Sequence, residues 1–284
     1  MPEHPATQRD PRTGSARPDQ PLAVIVSAGG LGLATARRLG QRHRLLIVDK
    51  DAAALGHAEA ALAEEGYDVR SATCDVTDKD DVSRLAATAM DLGGLRALAY
   101  VAGISPNGGS WQAIMRVNLV GAALVERAFL PLANEGAAAL FVSSSAAHVP
   151  LSLSEAVLDV LASPLAGNFL DRLPEALGEI APIMAYLLSK RGLNTMVRNR
   201  AWDWGQRDAR IVSLSPGAID TPMGRFENQR SPMKAELLRK MPLRREGTML
   251  EIADAVEFLV SDRASYITGT DMLVDGGSSA GKPG

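Results

Sequence analysis

The segment Leu22-Ala-Val-Ile-Val26, with the turn Ser27-Ala-Gly-Gly-Leu-Gly32 and residues 33–39 behind it, decides the fold. Its first five residues are all apolar, which is typical of a strand buried on both faces of a sheet. The glycine-rich residues predict a tight turn, and the apolar spacing from residue 33 onward predicts a helix. A strand, a glycine turn and a helix in this order are the first unit of a parallel α/β sheet.

The glycine turn is similar to the G-x-G-x-x-G fingerprint of dinucleotide-binding proteins. Gly29 and Gly32 are in place, and Ser27 stands at the first glycine. Such a turn lets the backbone approach a pyrophosphate, which binds at the helix N-terminus. A glycine cluster by itself also fits an ordinary tight turn. The candidate cofactor-binding residues of this turn are Ser27, Gly29, Gly30, Leu31 and Gly32.

An acidic residue follows the second apolar run, residues 45–48. Asp49 lies 20 positions after Gly29, where an acid accepts hydrogen bonds from the adenosine ribose hydroxyls. A carboxylate there would repel a 2′-phosphate, so it favours NAD over NADP, although Lys50 beside it weakens this preference. The alternative role of Asp49 is N-cap of the helix that starts at Ala52, and the two roles are compatible.

Strand and helix patterns alternate along the rest of the chain. Predicted strands cover residues 69–73, 95–101, 139–142, 210–214 and 272–274, and helices cover 52–65, 111–129 and 251–260. A further helix is capped by Thr77-Asp78 and reaches residue 92, and another carries Tyr186 and ends near 204. This alternation predicts a parallel sheet with ligand at the carboxyl ends of its strands. The residues at those ends are Gly29, Asp49, Asp75, Gly103, Ser144 and Pro216.

Two ionisable residues stand four apart in Tyr186-Leu-Leu-Ser-Lys190. In a helix this spacing places them on one face, one turn apart. A free tyrosine titrates at about pH 10, but a nearby ammonium favours the phenolate and lowers its pKa. The pair therefore suits proton transfer to or from an alcohol or carbonyl. The spacing alone also fits a surface tyrosine beside a solvated lysine.

Residues 149–183 interrupt the alternation of strands and helices. They are rich in Leu, Ala and Pro and predict one or two short inserted helices. Glu155 and Asp159 stand four apart and could form the solvent-exposed face of one helix. Because the segment starts after Ser144 and ends before Tyr186, we expect a lid that lines the substrate pocket. An oligomer interface is the alternative.

Composition excludes several classes of function. The net charge of −3 gives no reason to expect nucleic acid or an anionic membrane as partner. No apolar run is long enough to span a membrane. The single cysteine, Cys74, excludes an internal disulfide and fits a reducing compartment, so we expect a cytoplasmic protein. The four histidines are scattered, and no metal site is predicted.

The chain is predicted to hold one domain. Residues 1–20 contain prolines and charges without an apolar core and predict a disordered tail. Residues 21–284 then form a single domain with the helical insertion at about 149–183. The polar segment 225–245 is expected to be mobile.

Together these motifs resemble the classical short-chain dehydrogenase/reductase family over about residues 22–277, and the long insertion resembles some bacterial hydroxysteroid dehydrogenases of that family. The motifs occur in the family's order and end in Tyr266-Ile-Thr-Gly-Thr-Asp-Met-Leu-Val-Asp-Gly-Gly277. The resemblance implies a Rossmann-type, doubly wound sheet of mostly seven parallel strands flanked by helices. It also implies a nicotinamide cofactor, a small-molecule alcohol or ketone as substrate and a homodimer or homotetramer.

The resemblance implies a role for each matching residue. Tyr186 is the general acid/base, Lys190 holds the nicotinamide ribose and lowers the tyrosine pKa, and Ser144 binds the substrate oxygen. Asn118 bends its helix and positions a water that links Lys190 to solvent. Thr221, with the backbone near Ile219, contacts the cofactor carboxamide. The remaining cofactor-binding residues are Asp75, Val76, Ala102, Gly103, Pro216 and Gly217.

The sequence departs from the family pattern in three places. The glycine turn is shortened, Tyr100-Val-Ala-Gly103 replaces the family's Asn-Asn-Ala-Gly, and 42 positions separate Ser144 from Tyr186. The long gap points to a bulky or hydrophobic substrate. We therefore expect an NAD-dependent alcohol dehydrogenase or ketoreductase. A catalytically silent nucleotide-binding regulator on the same fold is the alternative, and an epimerase or dehydratase is a lesser one.

Overall fold

The computed structural model describes residues 20–221, 238–239 and 241–280. The predicted tail therefore lies outside the described residues except for Gln20, as does most of the polar segment 225–245. The strands are β1 (Leu22–Val26), β2 (Arg44–Asp49), β3 (Val69–Thr73), β4 (Leu95–Tyr100), β5 (Ala133–Val142), β6 (Arg210–Pro216), β7 (Ile219–Asp220), β8 (Gly247–Thr248) and β9 (Asp271–Val274).

The helices of the described residues alternate with these strands. They are α1 (Gly30–Leu39), α2 (Ala52–Glu64), α3 (Lys79–Asp91), α4 (Trp111–Met115), α5 (Ala122–Phe129), α6 (Glu155–Ala162), α7 (Phe169–Leu177), α8 (Pro182–Gly205) and α9 (Met249–Val260). A π-helical segment, Arg116–Gly121, joins α4 to α5, and a 3-10 turn, Ser145–His148, follows β5.

Seven parallel strands form the main sheet in the order β3-β2-β1-β4-β5-β6-β9. The predicted Rossmann-type sheet is confirmed. The strand order reverses between β1 and β4, and in open parallel sheets such a reversal opens a crevice at the carboxyl ends of the strands. β7 and β8 form a separate two-stranded pair.

Each face of the sheet is covered by its own layer of helices. Leu22, Val24 and Val26 of β1 belong to a core with α3, α5 and α8, whereas Ala23 and Ile25 pack in a second core with α1, α2 and α9. All five side chains of β1 are buried. Burial on both faces explains why this strand is apolar at every position.

Some boundaries differ from the sequence prediction. β5 begins at Ala133, six residues before the predicted start, because parallel pairing with β4 continues through a register shift near Leu95. The helix predicted over 111–129 is interrupted by the π-helical segment. Contacts between residues distant in sequence determine the start of β5 and the π-helical segment, and the local apolar pattern predicts neither.

The insertion forms the two helices α6 and α7. α6 contacts both α7 and α8, and Val157, Val160 and Leu173 are buried in the same core as α5 and α8. Glu155 and Asp159 are exposed on α6, so the predicted solvent-exposed face is confirmed. The buried apolar side chains of the insertion thus extend the domain core. The role of the segment as a lid or as an oligomer interface stays a prediction. Hydrogen exchange measured with and without ligand distinguishes the two roles.

Candidate active site

The Lys190 ammonium is buried at the carboxyl end of the sheet, one helical turn after Tyr186. Its Nζ donates to the Val142 carbonyl at 2.9 Å and lies 5.9 Å from the centre of the Tyr186 ring. Burial lowers the pKa of Lys190 to about 8. A Cβ placed on Gly103 would lie 3.5 Å from Nζ, an ordinary contact distance, so this glycine lies directly beside the ammonium.

Asn118 ties three elements together beneath this lysine. It is fully buried in the π-helical segment, where its Oδ1 accepts from Ile104 N at 2.7 Å and its Nδ2 donates to Ile104 O at 3.0 Å. Nδ2 also lies 3.3 Å from Ser189 Oγ, and that hydroxyl donates to the Tyr186 carbonyl at 2.8 Å. The amide therefore joins the loop after β4 to the helix of Tyr186. The water that the family resemblance implies here stays a prediction.

The π-helical segment has a second partner in β4. The hydroxyl of Tyr100, which is almost fully buried, donates to the Val117 carbonyl at 2.7 Å. Burial raises the pKa of Tyr100, so this hydroxyl remains a hydrogen-bond donor. π-helical turns within α-helices frequently occur at functional sites. A Cβ on Gly103 would lie 3.4 Å from Asn118 Oδ1 and 3.5 Å from Lys190 Nζ, so the two side chains flank the same glycine.

Two adjacent serines after β5 have different partners. Ser143 is buried, and its hydroxyl donates to the Lys190 carbonyl at 3.2 Å. Ser144 is half-buried at the start of the 3-10 turn, and its Oγ accepts from Ala146 N at 3.2 Å. An oxygen that accepts from the backbone keeps its own O–H for donation. The geometry thus gives Ser143 a packing role and leaves the Ser144 proton for a ligand.

The glycine turn presents backbone N–H groups at the start of α1. Among the described residues no side chain caps this N-terminus, and the first turn holds no acid. A Cβ on Gly32 would lie 2.1 Å from Ser27 O, so only glycine fits at this close approach. Ser27 itself has a φ of 143°. A bare helix N-terminus behind a glycine turn fits a pyrophosphate.

A cavity of about 160 Å³ opens beside this turn at the reversal of strand order. Six of the predicted cofactor-binding residues line it, namely Ser27, Asp49, Asp75, Val76, Ala102 and Gly103. Backbone N–H donation from Thr77 lowers the pKa of Asp75 and keeps it ionised. These residues fit the adenosine half of a dinucleotide.

The Asp49 side chain accepts a hydrogen bond from the glycine turn and does not cap a helix. Its Oδ2 accepts from Ala28 N at 2.8 Å, and its Oδ1 accepts from Asp51 N at 3.1 Å. The cap of α2 is Asp51, whose side chain accepts from Ala53 N and Ala54 N. The alternative role as helix cap is therefore wrong for Asp49. Each of its oxygens keeps a lone pair for a ligand hydroxyl.

The predicted residues after β6 lie outside this cavity. Gly217 N donates to Val274 O at 3.0 Å directly after Pro216 ends the strand, and Ile219 pairs with Gly247. Thr221 is half-buried and precedes the undescribed segment. Their contact with a cofactor stays a prediction, as do the roles of Gly29, Gly30 and Leu31 at the start of α1.

Sequence reasoning missed several residues of the site. Cys74, Ile104 and Val117 also line the cavity, as does Lys50, which was considered from the sequence only for cofactor choice. Ser189 joins Asn118 to the carbonyl of Tyr186. It follows Tyr186 by three residues on one helix, and this spacing could have identified it from the sequence. No group of three or more histidine, cysteine or acidic side chains suited to a metal occurs among the described residues.

Comparisons with known proteins agree with this geometry. A family model described as short chain dehydrogenase matches residues 21–156, and one described as Enoyl-(Acyl carrier protein) reductase matches 176–279. Short-chain dehydrogenase/reductase bsc3 of Alternaria brassicicola is 34% identical over 266 residues, covering 92% of this chain and 96% of that protein. The chain belongs to the short-chain dehydrogenase/reductase family.

Another relative of this short-chain dehydrogenase/reductase is the 3-alpha-hydroxysteroid dehydrogenase/carbonyl reductase of Comamonas testosteroni. It is 30% identical over 269 residues, covering 91% of this chain and 97% of that protein. A solved short-chain dehydrogenase/reductase from Serratia marcescens BCRC 10948 superposes with a TM-score of 0.74 at 22% identity, covering 93% and 100% of the two chains. This likeness supports the fold alone.

Family membership fixes the coarse function of this short-chain dehydrogenase/reductase. The chain is an oxidoreductase that uses a nicotinamide cofactor and binds a small-molecule substrate. Across the part of the chain that the structure describes, no helix combines the length and apolarity needed to cross a bilayer.

Proposed function

We propose that this chain is an NAD-dependent enzyme that interconverts a secondary alcohol and a ketone, with Tyr186 as general acid/base. The observation that carries the proposal is the buried Lys190 ammonium 5.9 Å from the Tyr186 ring. With a pKa of about 8, Lys190 remains mostly protonated at neutral pH, and its charge favours the tyrosine phenolate. A phenolate is the base that alcohol oxidation requires.

Each catalytic residue then acts at a defined atom. The Tyr186 phenolate accepts the proton of the alcohol during oxidation, and the phenol returns it to the ketone oxygen during reduction. The Ser144 hydroxyl donates a hydrogen bond to the substrate oxygen and orients it. When bound, the nicotinamide accepts or donates the hydride. Lys190 would hold the nicotinamide ribose, and Thr221 with the Ile219 backbone would contact the carboxamide.

The preference for NAD rests on Asp49. Its carboxylate lines the cavity and is fixed by Ala28 N and Asp51 N, so it can accept bonds from both ribose hydroxyls. A 2′-phosphate would face this carboxylate at close range. Lys50 lines the same cavity and offsets part of that repulsion.

Two exposed apolar side chains support a bulky, hydrophobic substrate. Ile183 lies one turn before Tyr186 on the same helical face and is 54% exposed. Val149, at the start of the insertion, is 42% exposed. Apolar side chains at both ends of the insertion thus flank the sequence positions of the catalytic serine and tyrosine. The hydroxysteroid named for the Comamonas relative is a substrate of this kind.

The cellular setting belongs to the same proposal. We place the enzyme in the cytoplasm, where its only thiol, Cys74, stays reduced and buried. The assembly proposed is a homodimer or homotetramer.

A substrate panel tests the proposed function. Secondary alcohols from small cyclic compounds to steroids are incubated with NAD⁺, and NADH absorbance is followed; the matching ketones are tested with NADH. We expect turnover that is highest for bulky, apolar alcohols. Tight NAD binding with no turnover of any alcohol or ketone would instead support a silent nucleotide-binding protein.

A further inference from the structure

We infer that Arg191 is a positioning residue that fixes the segment following Ser144. This inference rests on the proposed catalytic roles of Ser144 and Tyr186. Arg191 directly follows Lys190 on α8, and its guanidinium reaches across to the chain that leaves the 3-10 turn.

The guanidinium spreads over three backbone carbonyls of that chain. Its Nε donates to Ala147 O at 3.3 Å, its Nη2 to Val149 O at 3.1 Å and its Nη1 to Leu151 O at 3.4 Å. Ala147 belongs to the 3-10 turn, whereas Val149 and Leu151 follow it. Arg191 therefore supplies donors both to the turn that starts at Ser144 and to the chain that leaves it.

Arginine suits this role because its planar group carries five N–H donors in a fixed arrangement. A lysine ammonium has a single centre and cannot span three carbonyls. No carboxylate pairs with Arg191 among the described residues, whereas Arg200 on the same helix pairs with Glu126 and Asp203. The donors of Arg191 are thus committed to the backbone of the segment.

The contact connects the two halves of the catalytic machinery. On one side Arg191 is adjacent to Lys190, and on the other it holds the residues directly after the Ser144 turn. A second bond, between His148 Nε2 and Asp271 Oδ2 at 2.6 Å, ties the same turn to β9. Without Arg191 we expect Ser144 and the apolar wall at Val149 to shift relative to Tyr186.

Kinetics of three variants test this inference. Arg191→Met removes the donors, Arg191→Lys keeps the charge, and Arg198→Met changes an exposed arginine two turns further along α8. We expect Arg191→Met to lower kcat/KM about 10- to 100-fold. The loss should be larger for a bulky alcohol than for a small one, with NAD affinity unchanged. The kcat/KM of Arg191→Lys should lie between the values of Arg191→Met and the wild type, and that of Arg198→Met should match the wild type.

A purely structural role makes a different forecast. It would lower activity equally for all alcohols and weaken NAD binding and thermal stability together, and that pattern would overturn the inference. Wild-type kinetics in Arg191→Met would overturn it as well.

Hydrogen exchange separates this inference from the proposed function because it requires no turnover. Amides of residues 145–154 should exchange faster in Arg191→Met than in Arg198→Met, while those around Tyr186 stay protected. Unchanged exchange in that segment would refute the role of Arg191. An absence of turnover in the wild type would refute only the proposed function.

Discussion

The proposed catalytic end of the site, around Lys190, and the proposed pyrophosphate-binding end, at the glycine turn, are built in opposite ways. Around Lys190, polar side chains are buried and bonded within the chain, with Asn118 on Ile104 and Ser189, and Ser143 on the Lys190 carbonyl. At the glycine turn the N-terminus of α1 has no side-chain cap, and Ser27 has a φ of 143°. One end holds its donors and acceptors in place, and the other end presents backbone N–H groups.

This difference predicts how substitutions at the two ends of the site affect turnover, affinity and stability. At the catalytic end a lost side chain removes a reacting atom or leaves a buried polar partner unsatisfied. At the turn, backbone conformation and net charge matter more than any one side chain. Substitutions at the catalytic end should therefore have large effects on turnover, and those at the cofactor end smaller effects on affinity and stability.

Tyr186→Phe provides the strongest test of the catalytic end. Phenylalanine keeps the ring and removes only the proton carrier, so we expect kcat to fall by about 100- to 10,000-fold. NAD affinity, measured by fluorescence titration, should remain nearly intact. A variant with near wild-type kcat would show that Tyr186 is not the acid/base. Tyr266→Phe, at a fully exposed tyrosine, serves as the control.

Lys190→Met tests the buried ammonium through stability. Because burial lowers the pKa of Lys190 from 10.5 to about 8, the unfolded chain binds more protons than the folded one between these pH values. The burial cost is fully present below the folded pKa and is relieved as pH rises. The wild type should therefore gain roughly 3 kcal/mol of unfolding free energy over the variant across this window.

Urea unfolding of both proteins at pH values below 8 and above 10.5 measures this gain. Lys79→Met, at an exposed lysine, should show no such pH-dependent difference. A stability difference that stays constant with pH would mean that the ammonium is not desolvated. Turnover by Lys190→Met should also fall, because the variant lacks the positive charge that favours a phenolate at Tyr186.

Asp49→Ser addresses cofactor choice. Removing the carboxylate removes the repulsion of a 2′-phosphate, so the ratio of kcat/KM for NAD over NADP should fall by about 10- to 100-fold. The matched control is Asp51→Ser, which keeps a capping side chain on α2 and removes a charge outside the cavity. If wild-type enzyme already used NADP as well as NAD, the role of Asp49 would be disproved.

Ser27→Gly should have the smallest effect. Glycine relieves the strain of a positive φ, and we expect the free energy of unfolding to rise by about 1 kcal/mol. Ser27→Ala keeps the strained Cβ and loses the bond from Gly29 N to Ser27 Oγ, so it should be less stable than wild type. Thermal unfolding of the pair measures the difference. A destabilised glycine variant would mean that this hydroxyl bond outweighs the strain.

The fold was predictable because its signals are local. The apolar run of β1, the glycine turn and the strand-to-helix alternation each need only neighbouring residues, and they gave the parallel sheet. The cavity residues Asp49 and Asp75 were predictable for the same reason, since parallel strands end at one edge of the sheet.

The remaining contacts depend on residues far apart in sequence. Ser189 and Ile104 meet at Asn118 from 71 and 14 positions away in sequence, and Arg191 reaches carbonyls some 40 positions before it. No local pattern marks the π-helical segment either, because it depends on the bonds of Asn118 and Tyr100. These features follow from tertiary packing, which a single sequence does not display.

The only thiol of the protein lies in the wall of the proposed cofactor cavity and can report on its occupancy. Cys74 is buried in the cavity wall, and burial raises its pKa to about 12, so almost no reactive thiolate is present at neutral pH. Because the sulfur lies in the cavity wall, an alkylating reagent can approach it through the cavity. A ligand bound in the cavity should therefore slow alkylation of the unmodified enzyme.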